Sequence, residues 1–305
     1  MKRILFIYNP YSSNYVHVKD EVLSRASKIK GYMIGKFAIE KAPFEDNVES
    51  LKEVLRDGDI AVAAGGDATA AVAANAILES GKDVTLGVLP YGNFNDLAHT
   101  LRTNKFEDLD FSKNEVLYPL DIIVDGIHWR YATCYITAGM TAEAVEIFDN
   151  PKIRKSLQKG HRSSWRSYFN LAGWYFKNRH KKVFLPEFTL NGKPTIKKAS
   201  DYAAVNGRTM SRIMNGGNDF LKPKVFRSEV AKLTGFFRLS KLMATSILFR
   251  TPGKDTNGDA LEFKKPATIE VQAEGEYKIF EHIKTLRVEK PDKGLKVICR
   301  KKKNE

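Results

Sequence analysis

The run IAVAAGGDATAAVAANAIL, residues 60–78, constrains the fold more than any other stretch. Residues 60–64 are apolar throughout and too few for a helix, so they read as a short buried strand. Gly65-Gly66-Asp67 follows at once, and the alanine-rich pattern of residues 68–78 reads as a helix. The surrounding sequence repeats this alternation. Residues 4–8, 32–39 and 84–89 read as strands, and residues 16–28, 48–55 and 95–101 as helices. The second of these helices carries apolar spacing at Val48, Leu51, Val54 and Leu55. Asp57-Gly58-Asp59 supplies a turn. Strands alternating with helices predict right-handed crossovers and a parallel sheet covered on both faces. Ligands bind such sheets beyond the carboxyl ends of the strands.

The pattern changes after about residue 115, which divides the chain into a domain at 1–115 and a second at 116–305. VLYPLDIIVDGIHWRYATCYITAG reads as two strands joined by Asp125-Gly126, a strong hairpin signal. Strand-like runs follow at residues 183–190 (ended by Asn191-Gly192), 202–205, 268–273, 277–283 and 295–299. The second part is therefore read as mainly antiparallel β, its last residues free to return to the first domain. Two helical insertions interrupt it. SSWRSYFNLAGWYFKNRHKK places Trp165, Tyr168, Phe169, Ala172 and Phe176 on one face. TGFFRLSKLMATSILFR does the same with Phe236, Leu239, Met243 and Ile247, with Arg238, Lys241 and Arg250 among the rest. Each suits packing on the β domain, bordering a hydrophobic channel, or touching a membrane surface.

Lys and Arg number 50 against 36 Asp and Glu, a net charge of +14 that suits an anionic partner. No helix-turn-helix, zinc or ribonucleoprotein-type signature supports nucleic acid as that partner. Cys134 and Cys299 both lie in apolar, strand-like runs, which reads as inert core cysteines in a reducing compartment. No apolar run approaches a membrane span, and residues 4–8 are too short for a signal segment, so a cytoplasmic location is expected. Gly35-Lys36 lacks the glycine spacing and the Ser/Thr of a P-loop. His99 reads as a helix-surface residue.

Gly65-Gly66-Asp67-Ala68-Thr69 sits where a strand ends and a helix begins. Glycine there permits a sharp turn and close approach of a phosphate, and the helix start favours an anion. Asp67 suits a phosphate–Mg²⁺ pair or a substrate hydroxyl; an ordinary βα turn with an Asp N-cap reads equally well. A second loop, LPYGNFNDLAHTL, also leaves a strand and opens a helix, and YNPYSSN follows the first strand. All three loops fall on one edge of one sheet.

These motifs resemble the diacylglycerol kinase catalytic domain family, especially its bacterial soluble lipid kinases; sphingosine and ceramide kinases are relatives. The family carries Asn-Pro, then Gly-Gly-Asp-Gly-Thr, then Pro-x-Gly-Thr-x-Asn-Asp-x-Ala. Here the order is Asn9-Pro10, Gly65-Gly66-Asp67-Ala68-Thr69, and Pro90-Tyr91-Gly92-Asn93-Phe94-Asn95-Asp96-Leu97-Ala98. Weaker echoes are YITAGMTAEAVEIF, AAVNGRTMSRIMNGGNDFLKP and VQAEGEYKI, the last where the family has Asp-Gly-Glu.

The resemblance implies a Rossmann-like α/β domain and an antiparallel β-sandwich with the active site in the interdomain cleft. It implies an alcohol phosphotransferase of lipid metabolism and phospholipid biosynthesis, with ATP and Mg²⁺ as cofactors. The acceptor would be a lipid, reached by peripheral contact with an anionic membrane; a homodimer stays open. Asn9, Gly65, Gly66, Asp67, Thr69, Gly92 and Asn95 would line the nucleotide site, and Asp67 would serve the metal. Glu276 would be the general base. Three departures from the pattern stand out: Ala68 replaces glycine, Asn93-Phe94 replaces a hydroxyl and a small residue, and only Glu229 keeps an acid where bacterial members hold a structural Mg²⁺. If position 68 needs positive φ, its methyl crowds the nucleotide; if it is already helical, alanine is harmless. The departures motivate an altered homologue that keeps nucleotide binding. The Gly-Gly-Asp element is shared with NAD kinase, a soluble-substrate alternative.

Overall fold

The computed structural model describes residues 2–12, 14–26, 29–143, 173, 177, 185–210, 214, 215, 219–231 and 253–299. Apart from residues 173 and 177, the two amphipathic stretches above lie outside the described residues. The chain divides into two compact units: Met1–Pro119 with Phe220–Pro223 and Pro291–Glu305, and Leu120–Asp219 with Lys224–Lys290.

In chain order the described strands are β1 (Arg3–Tyr8), β2 (Met33–Ala38), β3 (Ile60–Gly65), β4 (Thr85–Pro90), β5 (Glu115–Leu117), β6 (Leu120–Val124), β7 (Ile127–Ala132) and β8 (Tyr135–Gly139). There follow β9 (Phe188–Leu190), β10 (Asp201–Val205), β11 (Thr209–Met210), β12 (Met214–Asn215), β13 (Phe226–Ala231), β14 (Lys254–Thr256), β15 (Gly258–Ala273), β16 (Glu276–Glu289) and β17 (Leu295–Val297).

The first unit holds a six-stranded sheet in the order β2-β1-β3-β4-β17-β5, parallel except for β5. β17 thus brings a late stretch of chain back into the first sheet. The apolar runs are continuous because both faces are covered. Ile4, Phe6, Val62 and Ala64 pack with Val18, Val22 and Ala26 of the helical stretch over residues 15–26. The strand order reverses at β1, so right-handed crossovers put the Asp67–Ser80 helix on the opposite face, where Leu5, Ile7, Ala61 and Ala63 are also buried. Every residue from Thr69 to Leu78 of that helix is buried. An apolar surface all round marks an internal helix, and alanine lets it lie close to its neighbours. Gly81, at φ +69, ends it in the left-handed conformation that favours glycine. Asp59 is buried at the start of β3 and paired with Arg3.

Among its described residues the second unit holds a nine-stranded antiparallel sheet, β14-β13-β10-β8-β15-β16-β6-β7 with β9 on β15, and the separate short pair β11-β12. One apolar cluster collects Ile122, Ala132, Ile136, Phe188, Tyr202, Phe226, Leu261 and Leu286 from eight of those strands. The sheet curls round this core, so the expected sandwich is built from one continuous sheet. The first half of β15 was invisible in the sequence because Lys264-Lys265-Pro266 breaks its alternation. The pairing with β16 shifts register between Glu262 and Ala267, and that irregularity accommodates the proline. Among the described residues, three two-residue turns have positive φ at both positions: Asp125-Gly126, Asn191-Gly192 and Glu274-Gly275.

Candidate functional site

β1 lies between β2 and β3, so the strand order reverses beside it, and the loops after β1 and β3 flank that reversal. The loop after β4 is their neighbour. Hydrogen bonds join all three. Tyr91 N donates to Gly65 O at 2.9 Å, and Asn14 Nδ2 donates to Tyr91 O at 3.0 Å. The Tyr91 hydroxyl donates to Glu21 Oε2 at 3.0 Å, and burial pushes that phenol above its ordinary range.

The helix after β3 starts at Asp67, with Gly66 as its N-cap and no side chain capping it. Ala70 N donates to Gly66 O at 3.1 Å, the first bond of the helix ladder. The N–H groups ahead of it belong to the helix start, where an anion is favoured. Asp67 is the first residue of its helix rather than the N-cap. Its carboxylate accepts from Asn95 N at 2.9 Å and Asp96 N at 2.6 Å, so it caps the Asp96–Leu101 helix instead. Asn95 is buried at φ 55. Its Oδ1 accepts from Gly92 N at 2.6 Å and its Nδ2 donates to Gly92 O at 2.8 Å, closing the loop on itself.

The glycines are explained by close approach, backbone to backbone between Gly92 and Gly66 and backbone to the Thr69 side chain at Gly65. A Cβ on Gly92 would lie 2.3 Å from Gly66 Cα, and one on Gly65 would lie 2.4 Å from Thr69 Oγ1. Thr69 is buried beneath the turn. Asn9 Oδ1 accepts from Tyr11 N at 2.9 Å and shapes the first loop. Ala68 is the second residue of its helix, exposed, and absent from the residues with positive φ. Its methyl group therefore sits outside the turn. Asn93 and Phe94 are partly exposed on the loop after β4, and His99 is exposed on the helix that follows.

The seven residues expected at a nucleotide site thus fall on three joined loops. Several of their side chains serve the loops themselves. Sequence reasoning missed Asn14 and Tyr91, which tie the first loop to the third; the polar Asn14 beside an aromatic-rich turn was the only signal.

In the second unit, Glu276 opens β16, pairs with Ala273 and is partly exposed. Glu229 lies on β13 opposite Ala203, and burial raises its pKa against the pull of Arg227. Two residues along on β10, Asp201 is buried; burial pushes its carboxyl up to about 7, against hydrogen bonds from the hydroxyl and N–H of Thr141. No group of three or more His, Cys, Asp or Glu side chains able to hold a metal occurs among the described residues. Cys134 is buried and Cys299 is half-buried, so only the first is a core residue; neither forms a disulfide. No helix among the described residues is long and apolar enough to cross a membrane.

Residues 3–124 match the family profile of the diacylglycerol kinase catalytic domain. A diacylglycerol kinase of Staphylococcus carnosus (strain TM300) is 30% identical over 127 residues, 41% of this chain and 38% of that protein. A diacylglycerol kinase of Staphylococcus aureus (strain Newman) is 30% identical over 127 residues, 37% of its length. The match to these curated relatives therefore spans about two fifths of their length. A crystal structure of a diacylglycerol kinase from Bacillus anthracis (strain Sterne) superposes with a TM-score of 0.63 at 13% identity, covering 98% of this chain and 97% of that one. Two further chains from that organism give 0.64 and 0.66 at 15% identity. At such identities the likeness is one of fold, and it extends to both the parallel and the antiparallel unit. Loops, glycines and sequence match agree on one assignment: residues 3–124 carry a domain of the diacylglycerol kinase catalytic family.

Proposed function

We propose that this chain is an ATP-dependent lipid kinase that moves the γ-phosphate of ATP to the hydroxyl of a diacylglycerol-like acceptor. The observation that carries the reading is the splice at Asp67. Two loops leaving adjacent parallel strands are locked together by Asp67 and by the Gly66–Gly92 contact, beside a helix start that no side chain caps.

That arrangement suits a nucleotide triphosphate. Backbone N–H groups of the Gly65–Thr69 turn would hold phosphate oxygens, with Asn9 and the Gly92–Asn95 loop at the rim. An ionised carboxylate has about four lone-pair positions, and two at Asp67 accept from Asn95 and Asp96. The same carboxylate would reach a Mg²⁺ carried in by the phosphates, since that ion binds through one or two carboxylates plus phosphate oxygens. When bound, Mg²⁺ supplies charge neutralisation at the transferring group. In the reaction the acceptor oxygen bonds to the γ-phosphorus, the bond from that phosphorus to the bridging oxygen breaks, and ADP leaves. Glu276, matched to the family's last motif residue, would take the hydroxyl proton. The surplus of positive charge suits a cytoplasmic protein working at an anionic lipid surface.

The test combines calorimetry of Mg-ATP binding with transfer of labelled γ-phosphate to mixed lipid micelles. Binding together with labelled lipid supports the reading. Asn93 and Phe94 motivate a second one, an altered homologue that binds nucleotide without transferring phosphate; tight binding with no labelled lipid would decide for it.

A further inference from the structure

We propose that Glu274 is a positioning residue for Glu276, fixing the hairpin tip from which that carboxylate is presented; this rests on the kinase reading above. β15 and β16 are joined by Glu274 and Gly275, at φ 52 and 94. Such a turn favours Asn, Asp or Gly first, because short side chains tolerate the left-handed conformation. The other two turns of this kind follow that rule with Asp125 and Asn191. A glutamate is disfavoured in the same place, and as a charged residue at a hairpin tip it belongs in water. Glu274 is instead only 5% exposed.

Its contacts explain the burial. Glu274 Oε1 accepts from the Thr133 hydroxyl and from Cys134 N, each at 2.5 Å. The Thr133-Cys134 link between β7 and β8 is held in turn by the segment after β10. Asn206 Nδ2 donates to Thr133 O at 2.8 Å, while Asn206 N and Gly207 N donate to Cys134 O at 2.7 and 2.8 Å. Gly207 lies so close that a Cβ there would be 2.8 Å from Cys134 Sγ. At one end of the sheet the Glu274 carboxylate thus joins two connections, and the segment after β10 braces the second of them from its other side. Glu276 is two residues further on, at the first paired position of β16. Anything that frees the tip moves Glu276. The family pattern has the shorter Asp here; this chain accepts a conformational cost at the turn and gains the longer reach to Thr133 and Cys134.

The test uses the full chain with Mg-ATP and diacylglycerol in mixed micelles. Glu274→Gln keeps the side chain's length but loses its charge, and Thr133→Val removes one donor with little change of shape. Each should lower kcat about tenfold or more while leaving KM for ATP unchanged, and hydrogen exchange at the Cys134 amide should quicken. Glu274→Gln should cost nothing further in a Glu276→Gln background, because it acts through Glu276. Wild-type kcat in Glu274→Gln, or an additive loss in the double variant, would overturn the role of Glu274 alone. A wild-type chain that labels no lipid would remove the kinase reading and this role with it.

Discussion

The loop edge of the parallel sheet and the hairpin tip of the antiparallel sheet solve the same problem by opposite means. Each must hold irregular chain in one geometry. At the loop edge backbone meets backbone, and glycine is required at position 92, where a Cβ would run into Gly66 Cα, while Gly66 leaves only a tight fit for one. At the hairpin tip a long side chain crosses the gap, and Glu274 is required because it reaches Thr133 and Cys134. In both places a carboxylate is committed to backbone N–H donors: Asp67 to Asn95 and Asp96, Glu274 to Cys134. Each therefore has an architectural duty separate from any chemistry.

The largest expected effect separates chemistry from architecture. Glu276→Gln should lower turnover by about 10²–10⁴, the usual range for loss of a general base, with ATP affinity and thermal stability unchanged. Equal turnover would mean that the proton goes elsewhere and that the tip serves only the fold.

Next comes pH. Burial holds the Asp201 carboxyl near 7, above its ordinary value, so the folded state favours the protonated acid. The stability this gives is complete below about pH 4 and is lost as pH rises through about 7. The whole change is at most roughly 4 kcal/mol, from 1.36 kcal/mol for each pKa unit. Asp201→Asn should flatten the stability curve over that window in chemical denaturation. An unaltered slope would transfer the effect to another acid, Glu229 first.

The same contrast explains what the sequence shows and what it hides. Glycines at a strand–helix junction are visible because only one residue type meets the demand, so the three loops and the parallel sheet could be read from residues 1–101. Long-range partners are not visible. Nothing around Asp67 points to N–H groups 28 and 29 residues away, so a metal ligand and an N-cap of its own helix were the natural readings. Asp201 and Thr141 are 60 residues apart, and Glu274 and Cys134 are 140 apart. The turn at Glu274-Gly275 could be recognised, but its burial could not, since a charged hairpin tip normally faces water. Pro266 hid half of β15 because a bulge has no period to read.

Asp67→Ala should lower phosphate transfer by removing the carboxylate proposed for Mg²⁺, and should in addition cost stability, by less than the Asp201 change. It leaves the N–H groups of Asn95 and Asp96 without their acceptor, at a cost of roughly 2–4 kcal/mol. Denaturation should show that loss, hydrogen exchange should quicken at Asn95 and Asp96, and ATP affinity should fall with it. Lost phosphate transfer with full stability would make Asp67 a purely catalytic group and would erase the likeness to Glu274.

The smallest effect belongs to Ala68. It occupies the second position of a 14-residue helix and is exposed, so its methyl supports the helix without touching the turn. Glycine there should cost about 0.5–1 kcal/mol of stability through backbone freedom alone. Affinity for Mg-ATP by calorimetry should not change. This is the inverse of Gly66 and Gly92, where an added methyl meets backbone. A tighter nucleotide complex in Ala68→Gly would mean that the helix start unwinds toward the phosphates, and the loop edge would then need a mobile glycine hinge as well as a close-packed pair.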